Sequence, residues 1–286
     1  MNGYERSRGS SVRNGGRMIA RSAMLIGCLI LSGMVIMVPG SAPAAAAGMG
    51  PKQLWDRGNE YAASKLYGDA VGYYTGAIQK NKGEIPMADV ARIFNSRGLA
   101  FLALKDPDRA LSDFGNAMEL DDRNPEFILN RGGVYLDLRK YERAIDDYST
   151  ALELNPRSAA AFAGRARGYQ GSGVHDKAVA DFAKLLEIEP NNAAALYGMG
   201  ISYKASKQDE KAIEAFDRVL KIEPKNAGAS YQKAGIYARS KKIDAACVWL
   251  DIAVGDGYRD WDALKNDPDF DALRKNPCYL KVIVGK

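Results

Sequence analysis

Few side chains in this 286-residue chain have types and spacings that invite chemistry: Cys247 and Cys278, His175, a glycine group at 168–173, and the aspartates 267, 269 and 271. Nucleophilic catalysis needs a base held beside the nucleophile. His175 is the only histidine and has no cysteine near it in sequence, so no triad can be written. Cys247 and Cys278 lie too far apart for a C-x-x-C redox pair and do not follow a zinc pattern. Gly168, Gly171 and Gly173 have the wrong order for a dinucleotide loop, which also requires a preceding strand. Asp267, Asp269 and Asp271 open like a calcium loop. Ala272, however, stands where the sharp-turn glycine belongs, and Cys278 where the bidentate glutamate belongs. Helix capping accounts better for those aspartates, and a turn-packing role accounts for His175. The residues imply no enzyme activity, no cofactor, no metal and no small-molecule substrate.

The elements that carry these residues repeat. Gly132, Tyr135, Ala144, Tyr148, Ala151 and Pro156 return thirty-four residues later as Ala166, Tyr169, Ala178, Phe182, Leu185 and Pro190, and again as Gly200, Tyr203, Ala212, Phe216, Val219 and Pro224. Within each period, apolar residues recur three and four apart, which reads as two amphipathic helices. A glycine in the first helix lets its neighbour approach, and the following aromatic fills the space beside it. The closing proline ends the second helix. One such unit cannot bury its own apolar face, so units must stack. Six are legible: 51–84, 91–124, 125–158, 159–192, 193–226 and 227–260, with a six-residue insertion before the second. The helix after that insertion has room to start early, around Met87. Residues 261–286 break the pattern; Asp260, Asp267 and Asn276, the last two followed by proline, mark starts of short capping helices.

This pattern resembles the tetratricopeptide-repeat family. The resemblance implies an all-α, helical-repeat solenoid, a right-handed superhelix of antiparallel helix pairs, that binds another protein. It also implies that first helices line a concave groove which holds a peptide or helix. The groove-facing places then hold Trp55, Asn59, Asn95, Leu99, Leu129, Arg167, Tyr197, Lys204 and Tyr231. Several of these are apolar groups that the core does not require. Family members that grip a C-terminal carboxylate do so with lysine, asparagine and arginine from successive first helices. Here Trp55, Ser96, Glu126 and Asn130 occupy the decisive places, so that clamp is absent.

Repeats two, three and four each pair an arginine in the first helix (Arg97, Arg131, Arg165) with an aspartate in the second (Asp113, Asp147, Asp181). Repeat five loses both, to Met199 and Ala215. Each arginine is expected to pair with the aspartate of its own repeat; an exposed pair would contribute little to stability, and its value would be orientation. Repeat one, with Arg57 but Tyr73, departs from this rule.

The net charge of +5 does not signal nucleic acid. Arg6, Arg8, Arg13, Arg17 and Arg21, against Glu5, precede Gly48, and the rest holds 35 basic and 34 acidic residues. Those arginines precede an uncharged run, Ser22 to Val38, and an alanine-rich stretch. That order describes a secretory signal peptide over 1–47, cleaved near Ala44 to Ala47. The expected location is periplasmic or secreted, with an N-terminal inner-membrane anchor, and hence membrane contact, as the alternative if the segment is retained. After export, Cys247 and Cys278 can form a disulfide or stay as two small apolar thiols; both readings stand. The sequence therefore predicts a non-enzymatic scaffold or adaptor of the cell envelope. A thiol-active envelope enzyme using Cys247 and Cys278, or a self-associating assembly factor, are the alternatives.

Overall fold

The computed structural model describes residues 46–284. The signal-peptide reading of 1–47 lies outside the described residues except at Ala46 and Ala47. Among the described residues every regular element is helical. Six pairs follow one another: α1 (Pro51–Ala63) with α2 (Tyr67–Lys80), α3 (Met87–Ala103) with α4 (Pro107–Leu120), and α5 (Pro125–Asp137) with α6 (Tyr141–Leu154). After them come α7 (Ala159–Gly171) with α8 (His175–Ile188), α9 (Ala193–Ala205) with α10 (Asp209–Ile222), and α11 (Ala227–Arg239) with α12 (Ile243–Gly255). The short α13 (Trp261–Asn266), a 3₁₀ segment (Pro268–Leu273) and α14 (Pro277–Val284) close the chain. Each first helix packs on its partner, and each second helix from α2 to α10 packs on the first helix of the next pair, so the fold is a helical-repeat solenoid.

Local chemistry sets the boundaries. Asn124, Ser158, Asn192 and Asn226 accept backbone N–H groups at the starts of α5, α7, α9 and α11, which satisfies donors that a helix start leaves open. The insertion is folded by Asn81, whose side chain accepts from Gly83 N and Ile85 N and donates to Ile85 O. Ile85 is thereby turned into the core, and α3 begins early, at Met87.

Between the helices of every pair, the fifteenth residue of the repeat adopts a left-handed conformation. It is Lys65, Lys105, Arg139, Lys207 or Lys241, with φ from 56° to 62°, and Gly173 at 78° in repeat four. Only glycine takes that conformation without steric cost. Gly173 was the one trace of this rule in the sequence. Lys105→Gly is therefore expected to stabilise the protein by about 0.5–1 kcal/mol in urea unfolding; an unchanged or lowered midpoint would count against the strain argument.

The core lies between the helix layers in successive clusters built of small-on-large contacts. A Cβ added at Gly58 would lie 2.5 Å from Tyr74, at Gly98 2.8 Å from Phe114, and at Gly200 2.7 Å from Phe216. Close approach also joins successive repeats: Gly164 would meet Tyr148 at 2.2 Å and Gly198 would meet Phe182 at 2.4 Å. Both glycines sit at the sixth place, where repeats two and three have Ser96 and Asn130.

Arg97, Arg131 and Arg165 each donate through Nε and Nη2 to both oxygens of Asp113, Asp147 and Asp181, at 2.7–2.9 Å. The within-repeat pairing is as expected, but the pairs are not exposed. The aspartate side chains keep only 3–8% of their surface, because the fork is sunk between two helix pairs. Arg97 Nη1 also reaches Thr75, and Arg165 Nη1 reaches Ser149, in the preceding repeat. Repeat six keeps the arrangement with different groups. Lys233 stands in the arginine column and lies 3.4 Å over the ring of Trp249, in the aspartate column, while its ammonium reaches back to Asp217.

Candidate functional site

Successive first helices touch at α1–α3, α5–α7, α7–α9 and α9–α11, whereas no two second helices approach as closely. The first helices therefore lie on the inner side of the curve. The nine side chains expected there divide into an open set and a filled set.

The open set lies in repeats one to five. Leu99 is 43% exposed on α3, and Arg167 is exposed on α7 without an ion-pair partner among the described residues. Asn59 is exposed and accepts a 2.9 Å bond from the Tyr74 hydroxyl. Leu129 and Tyr197 are half-buried; Tyr197 stands edge-on to Phe216 at 5.5 Å. Trp55 is half-buried with Lys52 Nζ 4.6 Å over its ring, and its Nε1 is buried without a hydrogen-bond partner. A buried donor left unpaired is costly.

Three of the nine are not available, which corrects the sequence expectation. Asn95 is buried, donating to Glu126 at 3.0 Å and accepting from Asn130 at 2.8 Å. It joins α3 to α5 and does not face a partner. Tyr231 is buried beneath the C-terminal segment, donating to Asp267 at 2.7 Å and stacking on Tyr258 at 4.2 Å. Burial and the Asp267 carboxylate both push its phenol pKa up. Lys204 pairs with Asp269 at 2.6 Å and with Gln232 at 2.7 Å. The physical cause for these last two is the tail. The 3₁₀ segment packs on α11, with Phe270 and Leu273 fully buried and Asp269 directed between Lys204 and Arg239.

The chemistry-bearing residues of the sequence are also placed. Cys247 and Cys278 form a disulfide joining α12 to α14, with Cα atoms 5.8 Å apart; of the two readings left open, the free thiols are ruled out here. Asp260 and Asp267 do cap α13 and the 3₁₀ segment, but Asp269 forms the groove ion pairs and Asp271 pairs with Arg274. His175 begins α8 with Nδ1 buried and unpartnered. Among the described residues no group of three or more potential ligands could hold a metal ion.

Sequence reasoning missed Gly133 and Tyr148 as inner-face features. The Tyr148 ring is buried, but its hydroxyl reaches the inner face beside Gly133, 3.7 Å from where a Cβ would stand. Burial pushes this phenol up to about 12, and the Arg167 charge acts on it in the opposite sense. The signal in the sequence was a glycine at the ninth place of a repeat.

Models of the tetratricopeptide repeat match residues 56–125, 125–158 and 193–226. No curated protein gives a significant sequence match. Among solved structures, a crystal structure of MamA is similar at 22% identity and TM-score 0.54, covering 56% of this chain and 93% of that one. MamA 41-end from Desulfovibrio magneticus RS-1 is similar at 20% identity and TM-score 0.57, covering 59% and 96%. YrrB, described as a TPR protein with an unusual peptide-binding site, is similar at 22% identity and TM-score 0.55, covering 67% and 96%. At these identities the likeness is one of fold.

Proposed function

The chain belongs to the tetratricopeptide-repeat family, and on that footing we propose that it is a non-enzymatic scaffold or adaptor of the cell envelope. It holds an extended peptide or a helix of another protein along the inner face of repeats one to five. The observation that carries this reading is the open set. Leu99 is exposed on α3, and Trp55 and Leu129 stand half-buried at the edge of the core on α1 and α5, each keeping part of its apolar surface open. Aromatic and arginine side chains in such places dominate binding energy in many interfaces. The reading agrees with YrrB, a structure of the same fold that is described as a TPR protein with an unusual peptide-binding site.

The envelope location rests on the N-terminal pattern of arginines, apolar run and alanines. It is supported by a disulfide, which persists in oxidising compartments. No helix among the described residues is long and apolar enough to cross a membrane. If the N-terminal segment is retained, it supplies the only membrane contact this reading includes. Bonded to each other, Cys247 and Cys278 hold no free thiolate for the thiol-active alternative in this state. Self-association through the open ends of the array has no observation in its favour.

The test is affinity capture from the periplasmic fraction. With Trp55→Ala combined with Leu99→Asp, partner capture is expected to fall on the order of thirtyfold; Leu99 is exposed and Trp55 only half-buried, and a retained helical circular dichroism spectrum checks that the fold survives. Undiminished capture would remove the inner face as the binding surface.

A further inference from the structure

Repeats three and six have glycine at the ninth place of the first helix, Gly133 and Gly235, where the others have Asn59, Leu99, Arg167 and Ile201. The space above Gly235 is filled. A Cβ there would lie 3.3 Å from both Cβ and Oδ2 of Asp269. That carboxylate is held by Lys204 at 2.6 Å and Arg239 at 3.5 Å. A glycine at this place thus admits a carboxylate, and cations of α9 and α11 hold it there.

The space above Gly133 has no such occupant. Only the Tyr148 hydroxyl comes within 4 Å of a Cβ at that place. Tyr148 is 6% exposed, and its hydroxyl has no hydrogen-bond partner among the described residues. Repeat one shows what this hydroxyl normally does. The equivalent phenol, Tyr74, donates to Asn59 at the ninth place, and Gly133 removes that acceptor from repeat three. The remaining aromatics of this column, Phe114, Phe182 and Phe216, carry no hydroxyl. Gly164, one helical turn before Arg167 on α7, stands against the Tyr148 ring, where an added Cβ would lie 2.2 Å from its Cζ. Three charges act on the phenol: Arg167, Asp137 and Asp147. Asp147 is neutralised by the Arg131 fork. Arg167 and Asp137 are exposed, and neither has an ion-pair partner among the described residues. The result is an unpaired donor flanked by an unpaired cation, Arg167, and an unpaired anion, Asp137, beside a niche that a side chain at position 133 would otherwise fill; an incoming carboxylate must approach from the Arg167 side.

We propose that Gly133, Tyr148 and Arg167 form a subsite for the carboxylate of an aspartate or glutamate in the peptide held along the inner face. The inference rests on the groove reading above and deepens it. Tyr148 Oη donates to the carboxylate, Arg167 supplies the compensating charge, and Gly133 provides the room. The occupied site at Gly235, where the carboxylate belongs to a side chain and not a chain end, sets the preference for a side-chain acid.

The full exported chain is tested on an immobilised random dodecapeptide library made in two forms, one with a free C-terminal carboxylate and one amidated. Amidated peptides enriched in aspartate or glutamate at one position are expected. Tyr148→Phe, which removes one oxygen and matches the residue found at this place in three other repeats, is expected to weaken the acidic peptides on the order of fivefold. Arg167→Ala is expected to weaken them on the order of thirtyfold. Changing the peptide acid to its amide is expected to cost wild type a similar factor and Arg167→Ala almost nothing. Enriched peptides without acid preference, or indifference to both variants, overturn the subsite and leave the groove standing. Retention of only the free-carboxylate form assigns the site to a chain end and overturns the side-chain assignment. If no peptide is retained, or retention ignores Trp55→Ala with Leu99→Asp, the groove reading falls and the subsite falls with it.

Discussion

Arg97→Ala is expected to destabilise repeats one to three by about 3 kcal/mol, several times the value of a surface ion pair. The magnitude follows from burial. The Asp113 side chain is 3% exposed and receives both of its close bonds from the Arg97 fork at 2.7 and 2.8 Å. Truncating the arginine strands a buried carboxylate and also releases Thr75 of the preceding repeat. Breaking such a pair is costly even where the intact pair adds little over an apolar replacement. The double variant Arg97→Met with Asp113→Leu is therefore expected to recover most of the loss. Urea unfolding of the two variants checks this. Equal destabilisation of single and double variants would show that the guanidinium acts through packing against Phe94 and Phe101, which lie 5.3 and 5.9 Å away, and not through the carboxylate. Because solenoid stability is carried by each repeat and its neighbours, hydrogen exchange in α9 to α12 should be little affected.

The legibility of this chain divides by what the period records. A residue that every repeat needs leaves a column, and columns were readable. Glycine facing an aromatic, alanine at the crossing and proline at the end fixed the helix pairs, and the arginine–aspartate covariation between repeats located a buried contact. The energetic value of that contact was not readable, because depth depends on how closely adjacent pairs approach. The left-handed turn was hidden because lysine and arginine occupy it in five repeats, against their own preference; stacking imposes it. Inner-face places identified from the repeat frame were right about position and silent about company. Asn95 is consumed by Glu126 and Asn130, contacts thirty-one and thirty-five residues away that no period announces. Tyr231 and Lys204 are consumed by Asp267 and Asp269 from the tail, which lies outside the repeat pattern altogether. The same reasoning explains why Tyr148 went unnoticed. Its ring belongs to the stacking column, and only the missing partner at Gly133 turns its hydroxyl toward function.

The tail also shapes what the inner face can do. With Asp269 between Lys204 and Arg239, and Phe270 buried against Tyr231 at 5.2 Å between ring centroids, the surface of repeats five and six is already satisfied in charge and in apolar contact. On the groove reading proposed above, a partner then has repeats one to four and the near edge of repeat five. Arg167, a cation without an ion-pair partner among the described residues, lies toward the far end of that stretch, with Trp55 at its start. An extended segment spanning them would place apolar residues toward α1 and α3 and its acid toward α7.

Removal of the Cys247–Cys278 bond is expected to lower the stability of the C-terminal cap by about 3.5 kcal/mol, from the loop-closure entropy of the 31-residue separation. Cys247→Ser with Cys278→Ser, or reduction of wild type, should bring an early step into urea unfolding, followed through Trp249 and Trp261. The cap should nevertheless stay docked in the absence of denaturant. Leu264, Phe270 and Leu273 are fully buried, and each contributes roughly 1.5–3 kcal/mol by burial, more in total than the bond adds. Limited trypsin digestion distinguishes the two contributions, since Lys265 and Arg274 flank the 3₁₀ segment. Reduced protein should resist cleavage there in buffer and yield to it at a urea concentration that oxidised protein still withstands. Prompt cleavage on reduction alone would mean that the disulfide, not burial, keeps Asp269 in place, and that Lys204 and Tyr231 become available whenever the bond is opened. Identical unfolding with and without the bond would mean that the cap's stability lies wholly in its packing on α11 and α12.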